Sequence, residues 1–130
     1  MFLVLAAMIG VLPATLATTA CTSAADIACD CAESTISIHV PADRAAAASK
    51  PVLSGACAND TLACNQQATA GGCTLWQFTP TQAGADCAID VDFATGTTFH
   101  ADLQIVQESG CCAGFYAQPT SAADVEVPEG

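Results

Sequence analysis

The side chains best suited to chemistry in this chain are two histidines, a group of three aspartates and nine cysteines. Asp90, Asp92 and Asp102 alternate with apolar residues around His100 in the run CAIDVDFATGTTFHADLQIVQESGCC, residues 87–112. Alternate side chains of an extended strand point to the same face, so these carboxylates and the imidazole share a wet face. Calcium takes hard oxygen ligands, which makes Asp90, Asp92 and Asp102 candidate metal ligands with calcium as the implied ion. No EF-hand spacing accompanies them, and a solvated charged face accounts for the same residues with no ion at all. His39 also falls on the outward side of an alternating stretch. An imidazole acts as a general base only when it reaches the group that it deprotonates, and no nucleophile can be placed beside either histidine. The chain has no Gly-x-Ser-x-Gly turn, no Gly-rich phosphate loop and no His-Glu-x-x-His helix. The expectation is therefore a protein that is not an enzyme.

The cysteines are Cys21, Cys29, Cys31, Cys57, Cys64, Cys73, Cys87, Cys111 and Cys112, and an odd number in an exported chain requires an explanation. Residues 1–20 contain no charged side chain and read FLVLAAMIGVLPATLATTA after Met1. An apolar run of about a dozen residues followed by small ones is a secretory signal peptide, too short and too interrupted by Pro13 to span a bilayer. No Lys or Arg precedes the run, so either the α-amino group supplies the positive end or the true start lies upstream of Met1. Thr18-Thr19-Ala20 offers small residues to an ordinary signal peptidase, leaving Cys21 as the first mature residue. The segment Leu16-Ala17-Thr18-Thr19-Ala20-Cys21 also resembles a bacterial lipobox, although Thr18 stands where that motif has Leu, Val or Ile. The lipobox resemblance implies a Cys21 thiol that is acylated and anchors the protein to a membrane. Eight cysteines then remain, enough for four disulfides; simple secretion or intermolecular pairing of Cys21 is the alternative.

Cysteines at this density become crosslinks in an oxidising compartment, so Cys29, Cys31, Cys57, Cys64, Cys73, Cys87, Cys111 and Cys112 are expected in disulfides. The Cys-x-Cys and Cys-Cys spacings lack the Cys-x-x-Cys knuckles of zinc sites. Adjacent Cys111 and Cys112 should each reach a different partner, and both pairs flank strands near the ends of the domain, which favours Cys29 and Cys31 as those partners. A local bond within the trio Cys57, Cys64 and Cys73 would clamp the stretch between them. Thirteen acidic against two basic residues give a net charge of −11, which excludes nucleic acid and anionic headgroups as natural partners. The expected location is secreted or lipid-anchored to the cell envelope, with a protein or carbohydrate ligand that the sequence does not identify.

The elements that position these residues follow from alternation. Ile89, Val91 and Phe93, then Phe99, Ala101, Leu103 and Ile105, form the apolar faces of a hairpin. Val91 and Phe99 can both face inward only across an odd-numbered loop, so Ala94-Thr95-Gly96 is the expected connection, with Gly96 left-handed. Thr35 to Val40 is a strand with Ile36, Ile38 and Val40 inward, ended by Pro41. Residues 43–50 suggest a short helix capped by Asp43 and stopped by Pro51. Residues 51–58 form a second strand, 59–72 a loop, and 73–79 a third strand with Trp76 and Phe78 on its core face. After the hairpin, Cys111 to Tyr116 turns the chain, and residues 124–128 close the sheet edge with Val125 and Val127 inward. The result is an all-β, disulfide-stapled sandwich of about six strands over residues 34–130, behind a signal peptide at 1–20 and a spacer at 21–33.

Residues 36–43, ISIHVPAD, followed by Lys50-Pro51-Val52-Leu53-Ser54-Gly55-Ala56, resemble the strand, turn and K-P-V-x-G-A pattern of carboxypeptidase-regulatory-like, transthyretin-related sandwich modules. Gly84-Ala85-Asp86-Cys87-Ala88-Ile89-Asp90-Val91 is similar to their later G-x-Y-x-V-x-V strand, with Cys87 near the usual tyrosine, and DVEVP to their last strand. The resemblance implies an accessory module for folding, adhesion or carbohydrate contact, with no catalytic residues to carry over. The extra cysteines and the alanine-rich insertion depart from that pattern, and an immunoglobulin-like sandwich is the structural rival.

Overall fold

Alternating apolar residues become strands in all six places where the sequence predicts them, and two further strands form where it does not. The computed structural model describes residues 29–130, so the expected signal peptide, Cys21 and most of the spacer lie outside the described residues. The strands are β1 (Ile36–His39), β2 (Val52–Ser54), β3 (Ala63–Gln67), β4 (Cys73–Phe78), β5 (Gly84–Asp92), β6 (Thr98–Glu108), β7 (Gly114–Gln118) and β8 (Asp124–Glu126). They form two four-stranded sheets in the orders β3-β4-β1-β8 and β2-β5-β6-β7. Among the named strands, β1 and β8 run parallel and the other pairs antiparallel. Ile36, Ile38, Phe78 and Val125 from the first sheet meet Ile89, Val91, Leu103 and Ile105 from the second in one apolar core. This is the two-layer β architecture that the alternation predicts.

The hairpin has the predicted register. Val91 lies opposite Phe99 and Asp92 opposite Thr98. Phe93 N–H donates to Thr97 O at 2.9 Å and Gly96 N–H to Phe93 O at 2.9 Å, which closes the loop on Ala94, Thr95 and Gly96. Gly96 has φ +90°, a conformation that a Cβ would strain.

Local expectations are corrected at five points. The polar stretch at 59–72 contains β3, because β4 offers it a ladder and the Cys64–Cys73 bond holds it there; the composition, rich in Asn and Gln, hides a strand made by pairing. The corner at 111–116 is a single 3₁₀ turn, Gly110–Cys112, after which the chain enters β7 and pairs back on β6. Helix α1 spans only Ala42–Ala45 and is preceded by Pro41, with Asp43 inside its first turn instead of capping it. Ser37 is outward yet buried, because Gln77 on β4 reaches over it and donates Nε2–H to Ser37 Oγ at 2.9 Å. Trp76 shares the inward face with Phe78 but is only half-buried at the margin of the core.

All eight described cysteines are paired, as Cys29–Cys111, Cys31–Cys112, Cys57–Cys87 and Cys64–Cys73. The leader cysteines meet the Cys111-Cys112 corner, as expected, and the clamp within the trio is Cys64–Cys73. Four disulfides suit an oxidising, extracytoplasmic location.

Two bonds sit where a ladder breaks: the β3–β4 register shifts after Cys64, and the β5–β6 register shifts before Cys87. Closing a loop removes more entropy from the unfolded chain when the loop is longer. The Cys57–Cys87 bond closes 30 residues and Cys64–Cys73 closes 9. Urea unfolding should accordingly show a loss of about 3.5 kcal/mol for C57A/C87A and about 2.5 kcal/mol for C64A/C73A. Equal or inverted losses would show that loop closure is not what these bonds contribute.

Candidate functional site

The hairpin face and one end of the first sheet carry the polar side chains that come together. On the hairpin, β5 and β6 set Asp90 directly across from His100, and Asp102 lies two residues further along β6 on the same outward face. His100 Nδ1 is 2.6 Å from Asp90 Oδ1, and His100 Nε2 is 3.0 Å from Asp102 Oδ1. A carboxylate only accepts, so both ring nitrogens donate when the imidazole is protonated, whereas the neutral ring has one donor and leaves one contact without a proton. The hydrogen bond to Asp90 is the main cause that raises the His100 pKa above its ordinary 6.5, followed by the bond to Asp102 and the charge of that carboxylate.

Asp92 does not join them. It lies across from Thr98 and accepts that hydroxyl's hydrogen bond at 2.6 Å. The sequence correctly places Asp90, Asp92, Asp102 and His100 on one face, but the structure divides them into an imidazole held by two carboxylates and a separate Asp92–Thr98 pair. Among the described residues no group of three or more His, Cys, Asp or Glu side chains is arranged to hold a metal ion. The imidazole lies between Asp90 and Asp102, within hydrogen-bond distance of both carboxylates.

His39 repeats the theme on the other sheet. Parallel pairing sets it beside Glu126, and its Nε2 is 3.3 Å from Asp124 Oδ1 and 3.9 Å from Glu126 Oε1. It borders a cleft of about 580 Å³ across the end of the first sheet, where Gln66 and Gln67 of β3, Thr74 of β4 and Glu126 of β8 converge. Val40, Pro41 and Val127 give the cleft an apolar wall, and Glu129 adds a second carboxylate. The outward positions of Asp124 and Glu126 are legible in the alternation of DVEVP, but their approach to His39 depends on a parallel pairing that no local pattern announces. On the opposite side of the terminal segment, Arg44 lies 3.8 Å over the Phe93 ring and donates to Pro128 O at 2.6 Å, which fixes the chain beyond β8.

Fold and crosslinks together define a small disulfide-stapled protein of two four-stranded sheets. Beyond that class, no protein-family model, no curated protein and no solved structure matches the chain.

The His100 contacts determine a pH dependence. A histidine whose folded pKa is raised contributes stability that is fully present below 6.5 and is lost as pH rises through the raised folded value. Wild type should therefore lose melting temperature relative to H100Q as pH rises from about 6 to about 9, and the two should respond alike if the contacts do not form in solution. Proton NMR should place the His100 midpoint above 6.5, with D90N lowering it more than D102N.

Proposed function

We propose that this chain is an exported, non-catalytic binding module, tethered to the cell envelope through lipid on Cys21, that uses the cleft at the end of its first sheet to hold a protein or carbohydrate ligand. The observation that carries this reading is the complete pairing of the eight described cysteines. Such pairing belongs to an oxidising compartment, leaves no thiolate nucleophile among the described residues, and singles out Cys21 as the sulfur to be accounted for. Both histidines engage carboxylates, and neither has a hydroxyl or thiol nucleophile as its hydrogen-bond partner among the described residues. The cleft sets an apolar wall from Val40, Pro41 and Val127 against the polar groups of Gln66, Gln67, Thr74 and Glu126, and its volume of about 580 Å³ lies within the range of roughly 300–1,000 Å³ common to ligand sites. The resemblance of the ISIHVPAD and KPVLSGA stretches to accessory sandwich modules points the same way. A net charge of −11 turns the surface away from nucleic acid.

Intact mass of the native protein, taken from membrane and soluble fractions, tests this. The expected species begins at Cys21, carries added acyl mass, partitions with membranes and is lighter than the reduced form by about eight hydrogens. Free thiols among the eight paired positions would sink the exported reading. A mature chain with an unmodified Cys21 would remove the tether and leave a secreted module.

A further inference from the structure

The four disulfides differ sharply in their access to solvent. Cys57 and Cys87 are fully buried, whereas the Cys64–Cys73 bond joins a nearly buried Cys73 to a half-buried Cys64. Cys29, Cys31 and Cys111 are exposed and Cys112 is half-buried. The exposed bonds are also adjacent: their partners are two residues apart on the leader and consecutive at the 3₁₀ corner, with Cα separations of 6.0 Å and 5.4 Å across the two bonds. Exchange at a disulfide requires a thiolate to reach one of its sulfurs, so access separates labile from inert bonds in the same molecule.

The two exposed bonds also do a different job. Cys57–Cys87 and Cys64–Cys73 each fasten neighbouring segments of one sheet, β2 and its 3₁₀ turn to β5 and β3 to β4. Cys29–Cys111 and Cys31–Cys112 instead tie the segment that leads into β1 of the first sheet to the β6–β7 corner of the second. Residues 29–34 form no strand or helix. Opening both bonds releases this leader and breaks no sheet ladder.

We propose that the paired bonds Cys29–Cys111 and Cys31–Cys112 form a thiol–disulfide exchange site, a clasp that a dithiol reductant opens while the sheets stay folded. The reductant's thiolate attacks the exposed Cys111 Sγ, a mixed disulfide forms, and Cys29 leaves as a thiolate that takes up a proton. The second thiol of the reductant then displaces Cys111, so that two electrons pass to the protein and the reductant becomes a disulfide. The second bond, Cys31–Cys112, opens by the same two steps, attack by a reductant thiolate and then displacement by its second thiol. A second equivalent of reductant completes the opening. The outcome is a leader that is no longer crosslinked to the β6–β7 corner.

Treatment of the native protein with limiting dithiothreitol, quenched with iodoacetamide and mapped by peptide mass, tests the proposal. Cys29, Cys31, Cys111 and Cys112 should be alkylated at least about tenfold faster than Cys57 and Cys87. Circular dichroism should retain the β signal at that stage, and hydrogen exchange should quicken in residues 29–35 but not in β4 or β5. A C29S/C31S/C111S/C112S variant should fold and show the same exchange pattern as the partly reduced protein. All four bonds opening in one step, labelling of Cys57 as early as Cys111, or loss of the β signal on opening the exposed pair would each overturn it. A variant that cannot fold would do the same, because the clasp would then be part of the fold's foundation.

Discussion

The constraint behind this structure is a core built from too few large apolar side chains for the surface that it must cover. Ile36, Ile38, Ile89 and Val91 are the largest fully buried side chains besides cysteines, Phe78, Ile105 and Leu103 are nearly as buried, and alanines at 45, 56, 117 and 123 take four further core positions. Alanine contributes little apolar area when buried, so packing alone leaves a narrow margin over chain entropy. Two of the four crosslinks fall where a strand ladder is irregular. Cys57 follows β2, a strand of only three residues, and meets Cys87 beside an irregularity in β5. Cys64 lies at the shift in β3, an edge strand rich in Asn and Gln. A bond at such a point restrains the unfolded chain and also holds a register that pairing alone specifies poorly.

Electrostatics adds a second layer of order. With thirteen carboxylate side chains and two basic ones, most acidic groups have no full cation to meet. Both histidines are placed between two carboxylates, His39 with Asp124 and Glu126 and His100 with Asp90 and Asp102. Arg44 is drawn to Phe93 and the Pro128 carbonyl, where it secures the terminal segment and forms no ion pair among the described residues. The histidines thus lie on the sheet faces and Arg44 lies at a seam.

Much of the fold can be read from local pattern because the relevant information is local. Period two in residues 88–105 fixes the faces of β5 and β6, and parity fixes the loop at Ala94-Thr95-Gly96. The missing strands show where that logic fails. In β3, Asn65, Gln66 and Gln67 have low intrinsic preference for a strand, and only β4 and a disulfide make them one. In β7, five residues carry too short an alternation to stand out against the Cys-Cys corner before them. The site was legible as a face but not as contacts. Alternation groups Asp90, Asp92 and Asp102 together, yet cross-strand register decides that Asp90 meets His100 while Asp92 meets Thr98. The cleft was invisible, since it gathers side chains from β1, β3, β4 and β8.

The parallel pairing of β1 and β8 gives the molecule a direction. Both strands start at the end where the leader enters, and both deliver their last residues, His39 and Glu126, to the rim of the cleft. The crosslinked leader and the rim of the cleft therefore lie at opposite ends of the first sheet, so a change at one pole reaches the other only along the length of β1.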